Sequence, residues 1–312
     1  MAIASRSAAG GNLDIPEGYH GNLNPHQQKA LDDLKKMLES KHGIVSEASP
    51  VATRHQVEIY ADPELRYDLE LLRFLRARRF DLAKSYGMYM AARDWRDKED
   101  LDTLYASFDY ARAQQAFRQH YPSYIHKTDL SGSPVHIHEI SKIDLDGLLR
   151  NLSSEEAIQY LFLLSESNLR ERFPASTLRL RQEDTDSTAI IETVTAIFDL
   201  KGIGIRGFWR AKDMLYRLIQ ISDNYYPETA NKLFVINAPG VFSTIWSYLK
   251  GWLDARTAAR VFVLGSGYQE TLLKHIDPQA LPSHLGGTCH CEDKQHGCRN
   301  GDVGPWTSNS TK

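Results

Sequence analysis

The segment 198–287 constrains the fold of this chain more than any other part of its sequence, because apolar runs and helical patterns alternate along it. A short β-branched apolar run, an amphipathic pattern and a second short apolar run follow one another, which predicts a βαβ unit. The continued alternation predicts an α/β fold whose mixed, largely parallel sheet carries helices on its faces. The predicted strands are residues 190–200, 233–237 and 261–264, and the predicted helices between them are residues 207–225 and 242–253.

Gly202, Gly204 and Gly207 follow the first of these strands with the G-x-G-x-x-G spacing of a dinucleotide-binding turn. The strand continues through residues 199–201 before Gly202, so the turn is longer than the tight junction that aims a helix N-terminus at a pyrophosphate. The second strand ends in Asn237, where a dinucleotide fold would place the carboxylate that binds the ribose. A loop whose glycines allow close backbone approach is the favoured interpretation, and a nucleotide-dependent oxidoreductase is the alternative.

Length and charge narrow the class of protein. A chain of 312 residues of which 42% are apolar can bury a sizeable core in one or two domains. Its net charge of −3 gives no general attraction to nucleic acid, so we expect no nucleic-acid partner, and attraction to an acidic membrane would need a local patch. The N-terminus lacks the apolar segment of a signal peptide, and no run reaches the length of a membrane span, which predicts a soluble cytoplasmic protein.

The N-terminal part of the chain predicts helices rather than strands. Leucines at helical spacing mark a helix from Pro25, while Asp62, which precedes a proline, and Asp81 are capped helix starts. Ser153 begins a capping box for a later helix, and the polar residues 176–188 predict a loop. The predicted organisation is a flexible arm at residues 1–24, a helical domain at residues 25–107, an α/β domain at residues 108–288 and a polar, cysteine-containing tail at residues 289–312.

A search for catalytic motifs does not predict an enzyme. The sequence contains no G-x-S-x-G elbow, no P-loop and no H-E-x-x-H helix. His136 and His138 share one face of a predicted strand and could begin a metal site. A third ligand for them is not evident, so a packing role is preferred.

Three cysteines lie close together near the end of the chain, at Cys289, Cys291 and Cys298, with His290 and His296 among them. The segment therefore offers five soft metal ligands. Zinc sites usually pair two C-x-x-C motifs that are far apart, whereas here the first spacing is C-x-C and every candidate falls within one short segment. A polar tail with reduced thiols is the preferred interpretation, and no residue is assigned as a metal ligand.

Several ordered motifs resemble the CRAL-TRIO lipid-binding family, and in particular its fungal phosphatidylinositol-transfer branch. The motifs are LRFLRARRFDLAKS, YPSYIHKTDLSGSPV, DLKGIG, NYYPE, INAP, LDARTAARVFVLG and LPSHLGG, which are spread over residues 62–287. The resemblance implies an N-terminal helical bundle followed by an α/β domain with a lipid cavity that a gate helix closes. It also implies a protein that binds phosphatidylinositol, transfers single lipid molecules and needs no cofactor besides the bound phospholipid.

The same resemblance implies where and with what the protein acts. It would present phosphatidylinositol to lipid kinases, so a phosphatidylinositol kinase is an indirect functional partner. It would contact the membrane surface transiently, on Golgi, endosomal or other endomembranes, and act as a monomer. A CRAL-TRIO carrier of a sterol or another hydrophobe is the alternative within the family.

A phosphoinositide headgroup needs a fixed cation for its phosphate, a carboxylate that accepts hydroxyl protons and a short hydroxyl donor. By resemblance, Glu228 accepts the inositol hydroxyls, while Thr257 and Arg260 hold the phosphate. The family usually has lysine where this chain has Arg260, and arginine keeps the charge while adding a forked donor. The headgroup-binding residues implied in this way are Arg78, Arg79, Asp129, Pro134, Glu228, Thr257, Arg260 and Val261.

The helix predicted at residues 242–253 is unusually rich in large apolar and aromatic side chains. Tryptophan and tyrosine suit a surface that alternately faces protein and membrane, although a core helix can have a similar composition. By resemblance this helix is the gate over the lipid cavity. Its large side chains are Phe242, Ile245, Trp246, Tyr248, Leu249, Trp252 and Leu253.

The resemblance to the fungal branch also implies a second pocket, which holds phosphatidylcholine in its yeast-type member, and four positions of this chain depart from that pocket. Val194 and Ala196 replace a serine and a threonine on one strand, and Ile125 and His136 replace two tyrosines. These changes remove donors for the phosphate of a choline lipid and aromatic faces for its quaternary ammonium. We therefore expect that phosphatidylcholine is not bound appreciably and that phosphatidylinositol alternates with a less polar second ligand.

Overall fold

The protein is described from a computed structural model. The described residues are 15–46, 62–202, 205–240, 242–253, 255–291, 297–300 and 302–307. Residues 15–24 belong to the predicted arm, and within them Gly18 contacts α2 (Pro63–Ala77), because its carbonyl accepts a hydrogen bond of 3.4 Å from Arg76 Nη1. Gly204 and His296 lie outside the described residues.

Three helices open the described chain, and each begins with a side-chain cap. In α1 (Pro25–His42) Asn24 and Gln27 form a capping box, with bonds of 3.0 and 2.9 Å. Asp62 caps α2 and Asp81 caps α3 (Leu82–Lys98), which confirms the two predicted starts. Leucines and aromatic residues between the three helices form one core, which includes Leu34, Leu38, Leu71, Leu75 and Tyr89.

Helices continue up to the sheet and again after its second strand. Ser153 and Glu156 form the predicted capping box at the start of α7 (Ser154–Ser167). The prediction of a loop at residues 176–188 is wrong, because a π-helical turn at Asn168–Arg172 leads into α8 (Phe173–Glu183). Small and polar residues supply much of its buried face, so its periodicity is weak in the sequence. The helices here are α4 (Leu101–Ser107), α5 (Tyr110–His120), α6 (Leu145–Asn151), α7 (Ser154–Ser167) and α8.

Five strands form one sheet in the order β1-β2-β3-β4-β5. The first pair is antiparallel and the other three are parallel, which confirms the predicted mixed, largely parallel sheet. The third strand begins later than predicted, because the backbone N–H of Ile191 bonds to the Thr177 hydroxyl of α8 rather than to a strand. The strands are β1 (Ser123–Thr128), β2 (Pro134–Glu139), β3 (Val194–Asp199), β4 (Ala230–Ile236) and β5 (Val261–Val263).

The two faces of the sheet pack against different parts of the chain. One face packs against the segment that follows β5, which includes α12 (Gln269–Leu273). The other face carries a cross-strand row of paired residues, in which each member lies opposite the next. Phe198 and Val235, two positions further along β3 and β4 on this same face, pack against α10 (Phe242–Trp252). The cross-strand row consists of Ile125, His136, Ala196, Leu233 and Val261.

Two further helices and the end of the chain complete the fold. They are α9 (Ile205–Tyr225), which connects β3 to β4, and α11 (Ala255–Ala258), which precedes β5. Near the C-terminus, Val303 bonds to the edge of β1, and Trp306 packs against Ile125. Every helix in the described part of the chain is too short or too polar to cross a bilayer.

Candidate functional site

Glu228 lies at the centre of a charged cluster beside the start of β4. Its Oε2 is 2.8 Å from Arg260 Nη2, and its Oε1 is 3.4 Å from Arg256 Nε. The Glu228 side chain is only 5% exposed and its φ is +58°, so the chain fixes this carboxylate between two guanidinium groups. Thr257 belongs to α11 and its carbonyl accepts from the Arg260 backbone N–H at 3.0 Å. Two cations share one carboxylate, so this cluster carries a net positive charge.

A second, deeper ion pair adjoins the first cluster. Arg76 is buried on α2, and its Nη2 lies 3.1 Å from Glu192 Oε2, while Tyr19 covers its guanidinium with a ring centroid 3.9 Å away. Burial by itself lowers the pKa of a guanidinium, but Glu192 raises the pKa of Arg76 above its usual value, so Arg76 stays charged. Arg256 joins the two clusters, because its Nη1 donates to the Arg76 carbonyl.

The sequence predicted Arg78 and Arg79, at the end of α2, as the basic pair of the headgroup site and missed the buried Arg76. Arg78 is half-buried at the C-cap, where its Nη1 donates to the Ala77 carbonyl at 3.3 Å, and Arg79 is exposed with a φ of +54°. Arg76 follows the buried Leu72 by four residues, so it lies on the apolar face of α2. A charged residue at an apolar position of a helix is the signal that could have identified it.

Asp129 and Pro134 lie at the turn between β1 and β2. Both carboxylate oxygens of Asp129 are occupied, with Oδ1 accepting from residues of its own turn and Oδ2 from Thr195 at 2.7 Å and Asn231 at 3.0 Å. Asn231 follows Ala230, whose carbonyl accepts from Arg260 Nη1 at 2.6 Å. Asp129 therefore stabilises the start of β4, whose Ala230 carbonyl binds the Arg260 side chain. Pro134 is buried at the start of β2.

The four substituted positions lie together on one face of the sheet. Ile125, His136 and Ala196 are consecutive members of the cross-strand row, and Val194 precedes Ala196 by two residues on the same face. Val261, predicted at the headgroup site, ends the same row. Burial lowers the pKa of His136 well below its usual value, so this imidazole is neutral.

The gate helix predicted at residues 242–253 is α10, and it has a buried side and an exposed side. Phe242 and Ile245 are buried against the sheet, whereas Trp246, Leu249, Trp252 and Leu253 are partly buried. Tyr248 is 48% exposed and meets Trp209 of α9 edge-on, and Trp252 meets Tyr216 of α9 in the same way. Sequence reasoning missed Trp209 and Tyr216, although their separation of seven residues places them on one helix face. We call Trp209, Tyr216, Tyr248 and Trp252 the aromatic patch.

A cavity of 540 Å³ lies between α2, α3 and α7, and Glu192 of the buried ion pair is one of its lining residues. Apolar and charged side chains share its lining. Among the charged ones, Arg96 and Glu166 form a bidentate pair at 2.6 and 3.1 Å. None of its described lining residues belongs to the predicted headgroup set. Acyl chains require apolar walls, so the charged part of this lining does not suit them.

Beside the glycine turn after β3, the end of β4 carries Asn237 instead of the acidic ribose ligand of a dinucleotide site, and Asn237 makes a hydrogen bond to β3. Gly202 has a φ of +82°, a conformation that favours glycine. Asp199 Oδ1 accepts from the Lys201 backbone at 2.9 Å and from Asn237 Nδ2 at 2.7 Å. The side chain of Asn237 thus ties the carboxyl end of β4 to that of β3.

Comparisons with known proteins identify relatives along nearly the whole chain. Residues 118–287 match the family model described as CRAL/TRIO domain. The chain is 35% identical over 295 residues to the Sec14 cytosolic factor of Schizosaccharomyces pombe, covering 95% of this chain and 93% of that protein. It is 34% identical to the SEC14 cytosolic factor of Eremothecium gossypii, covering 97% of this chain and 88% of that protein.

A plant relative and a solved structure extend the comparison. The phosphatidylinositol/phosphatidylcholine transfer protein SFH12 of Arabidopsis thaliana is 35% identical over 98% of this chain, which matches 51% of that protein. The crystal structure of Sfh5 has a TM-score of 0.55 at 17% identity, covering 79% of this chain and 82% of that one. That similarity agrees with the predicted fold class. The names of these relatives also agree with the prediction that the chain is not an enzyme.

Proposed function

Since the chain belongs to the CRAL/TRIO domain family, we propose that it binds phosphatidylinositol and transfers single molecules of it between membranes. The observation that carries this proposal is the cluster of Glu228, Arg256 and Arg260 beside Thr257, inside the region that matches the family. Relatives named as phosphatidylinositol/phosphatidylcholine transfer proteins support the lipid class.

The charge balance of the cluster suits an anionic headgroup that also bears hydroxyls. Glu228 offers acceptor oxygens to the inositol ring, and the excess positive charge of Arg256 and Arg260 is neutralised by the phosphodiester. Arg260 Nη2 binds Glu228 while Nη1 binds the Ala230 carbonyl, so its forked geometry is already fixed. The hydroxyl of Thr257 supplies the short donor. Arg78 and Arg79 lie just beyond Arg76, whose carbonyl holds Arg256, and they add positive charge nearby.

The acyl chains require a closed apolar space during transfer. On the order of 30 chain methylenes at ~0.8 kcal/mol each make their exposure to water cost ~24 kcal/mol. Passage from a bilayer directly into an apolar cavity largely avoids this cost. We therefore assign the exchange of lipid to a docked state in which α10 moves away from the sheet face that it covers.

The aromatic patch supports α10 as the part that meets the membrane. Trp209 and Tyr216 are 41% and 45% exposed, and with Tyr248 they form an aromatic surface across α9 and α10. Tryptophan and tyrosine are the side chains that prefer the membrane interface. Opening of α10 would carry Trp246, Leu249 and Trp252 from protein contacts to lipid contacts.

The cross-strand row argues against phosphatidylcholine. Ile125 and Ala196 offer no hydrogen bond from their side chains, and the neutral imidazole of His136 gives no cation. An unpaired phosphate against Val194 and Ala196 would cost several kcal/mol, which is enough to exclude the ligand. We propose that a less polar second ligand, such as a sterol or another hydrophobe, alternates with phosphatidylinositol on this face.

The cellular role follows from the same proposal. The relatives named as cytosolic factors support a cytoplasmic location. We propose that the protein contacts Golgi, endosomal or other endomembranes transiently. There it would act as a monomer and present phosphatidylinositol to a lipid kinase.

Mass spectrometry of lipids extracted from the purified protein tests the proposal. After incubation with mixed vesicles and re-isolation, we expect about one phosphatidylinositol per chain. Glu228→Gln weakens acceptance of inositol hydroxyls and should lower that occupancy. Glu171→Gln serves as the control, because Glu171 accepts from the Tyr105 hydroxyl and is not a member of the cluster. Absence of phosphatidylinositol, or a bound nucleotide in its place, would overturn the proposal.

A further inference from the structure

Four side chains with soft ligand atoms converge beside β1, outside the proposed lipid site. His126 comes from β1, and Cys289, Cys291 and Cys298 come from the segment beyond the family match. Their ligand atoms all lie within 4.8 Å of one another. The three cysteines are free thiols.

The spacing of these atoms fits one tetrahedral metal ion. The Sγ atoms of Cys289 and Cys291 are 3.7 Å apart, and Cys291 Sγ is 4.0 Å from His126 Nε2. Zinc with sulfur ligands at about 2.3 Å places two such atoms about 3.8 Å apart in a tetrahedron. The described positions therefore need only small adjustments to enclose the ion.

The surroundings of His126 point to a ligand as well. The residue is 0% exposed, and its Nδ1 has no hydrogen-bond partner among the described residues. Its other nitrogen, Nε2, meets a thiol only at 4.0 Å. Buried polar groups are normally satisfied. A cation bound at Nε2 would give this nitrogen the partner that the thiol at 4.0 Å provides poorly, and it leaves Nδ1 as it is.

The charge of the site is also balanced. Three thiolates and one imidazole give a zinc complex a net charge of −1. Lys127 Nζ lies 3.3 Å from Cys289 Sγ and 2.8 Å from the Gln279 carbonyl, so a fixed cation faces the complex. Cys289 and Cys298 are buried, while Cys291 is partly exposed and leaves a path for the ion.

We propose that His126, Cys289, Cys291 and Cys298 bind one structural zinc ion that fastens the C-terminal segment to β1. Four protein ligands close the coordination sphere, which is the arrangement of structural rather than catalytic zinc. The fastened segment continues to Val303, which bonds to β1, and to Trp306, which packs against Ile125. The zinc site replaces the expectation that no residue binds metal.

The test uses the full-length protein, purified under reducing conditions without a metal-affinity step. Elemental analysis should find about one zinc per chain, and a chelator-treated sample should regain one zinc on titration. Cobalt added instead should give the charge-transfer and d–d bands of tetrahedral thiolate coordination. Loss of a residue that hydrogen-bonds a metal ligand can weaken metal binding by about 100-fold. His126→Asn removes a ligand itself and should weaken zinc binding by more than that. The matched control His290→Asn should leave binding unchanged, because His290 is exposed and outside the cluster.

Three results would overturn the proposal. The first is a wild-type chain with three titratable thiols that takes up neither zinc nor cobalt. The second is zinc that is retained equally by His126→Asn and wild type, which would mark adventitious binding. The third is equal loss of zinc in His126→Asn and His290→Asn. Should His126→Asn fail to fold, the cobalt spectrum of the wild-type chain alone decides between tetrahedral thiolate coordination and its absence.

Discussion

Replacing Thr257 and Arg260 together by alanine removes the two side chains that we assign to the lipid phosphate. Hydrogen bonds to a charged group contribute about 1.5–3 kcal/mol each, so the loss of two weakens binding by about 3–6 kcal/mol. This corresponds to about a 10²–10⁴-fold rise in the dissociation constant for phosphatidylinositol. The change also leaves Glu228, which is 5% exposed, with Arg256 as its remaining cation of the cluster.

The assay is transfer of labelled phosphatidylinositol between vesicles, measured together with the melting temperature. Arg260→Lys is the matched control, because it restores the residue usual in the family and keeps the charge; it should stay within about tenfold of wild type. We expect the double variant to lose transfer while it stays folded. Undiminished transfer by the folded double variant would refute the headgroup assignment.

Three further predictions concern the gate helix, the buried ion pair and the buried His138. Trp246→Ala with Trp252→Ala should reduce vesicle docking and transfer more than thermal stability, and the reverse ranking would make α10 an ordinary core helix. Glu192→Ala leaves the buried Arg76 without its partner and should lower the free energy of unfolding by about 3–5 kcal/mol; a loss in denaturant melts below about 1 kcal/mol would contradict the role of this pair. Burial lowers the pKa of His138 from 6.5 to about 3, so the unfolded chain binds a proton that the folded chain excludes, and stability falls between pH 6.5 and pH 3. His138→Gln should flatten that decline by about 1.4 kcal/mol per pH unit, and parallel stability curves for the two proteins would contradict it.

Local signals in the sequence predicted a large part of the fold. The helix starts at Asp62 and Asp81 and the capping box at Ser153 were confirmed, because a cap is a short-range contact between a side chain and nearby backbone. The parallel strands were recognised because apolar runs alternate with helical spacing. By contrast, α8 was missed, since its buried face depends on small and polar residues whose packing is set by distant parts of the chain.

In the candidate sites, too, the residues that were missed depend on contacts between distant parts of the chain. The resemblance named Glu228 and Arg260, which the structure brings together, but not Arg256, whose role depends on the carbonyl of Arg76 in another helix. The cysteines were visible as a group, whereas His126 is far upstream and reaches them only because the C-terminal segment returns to β1. Pairing of distant residues cannot be inferred from spacing along one chain.

The most direct test of the central claim is transfer of labelled phosphatidylinositol and phosphatidylcholine, measured side by side with the same vesicles and the same protein. The cluster around Glu228 and the cross-strand row together predict rapid transfer of phosphatidylinositol and transfer of phosphatidylcholine at the rate of a protein-free control. Comparable rates for the two lipids would contradict the assignment of the cross-strand row. Failure to transfer phosphatidylinositol would contradict the proposal that this protein is a phosphatidylinositol-transfer protein.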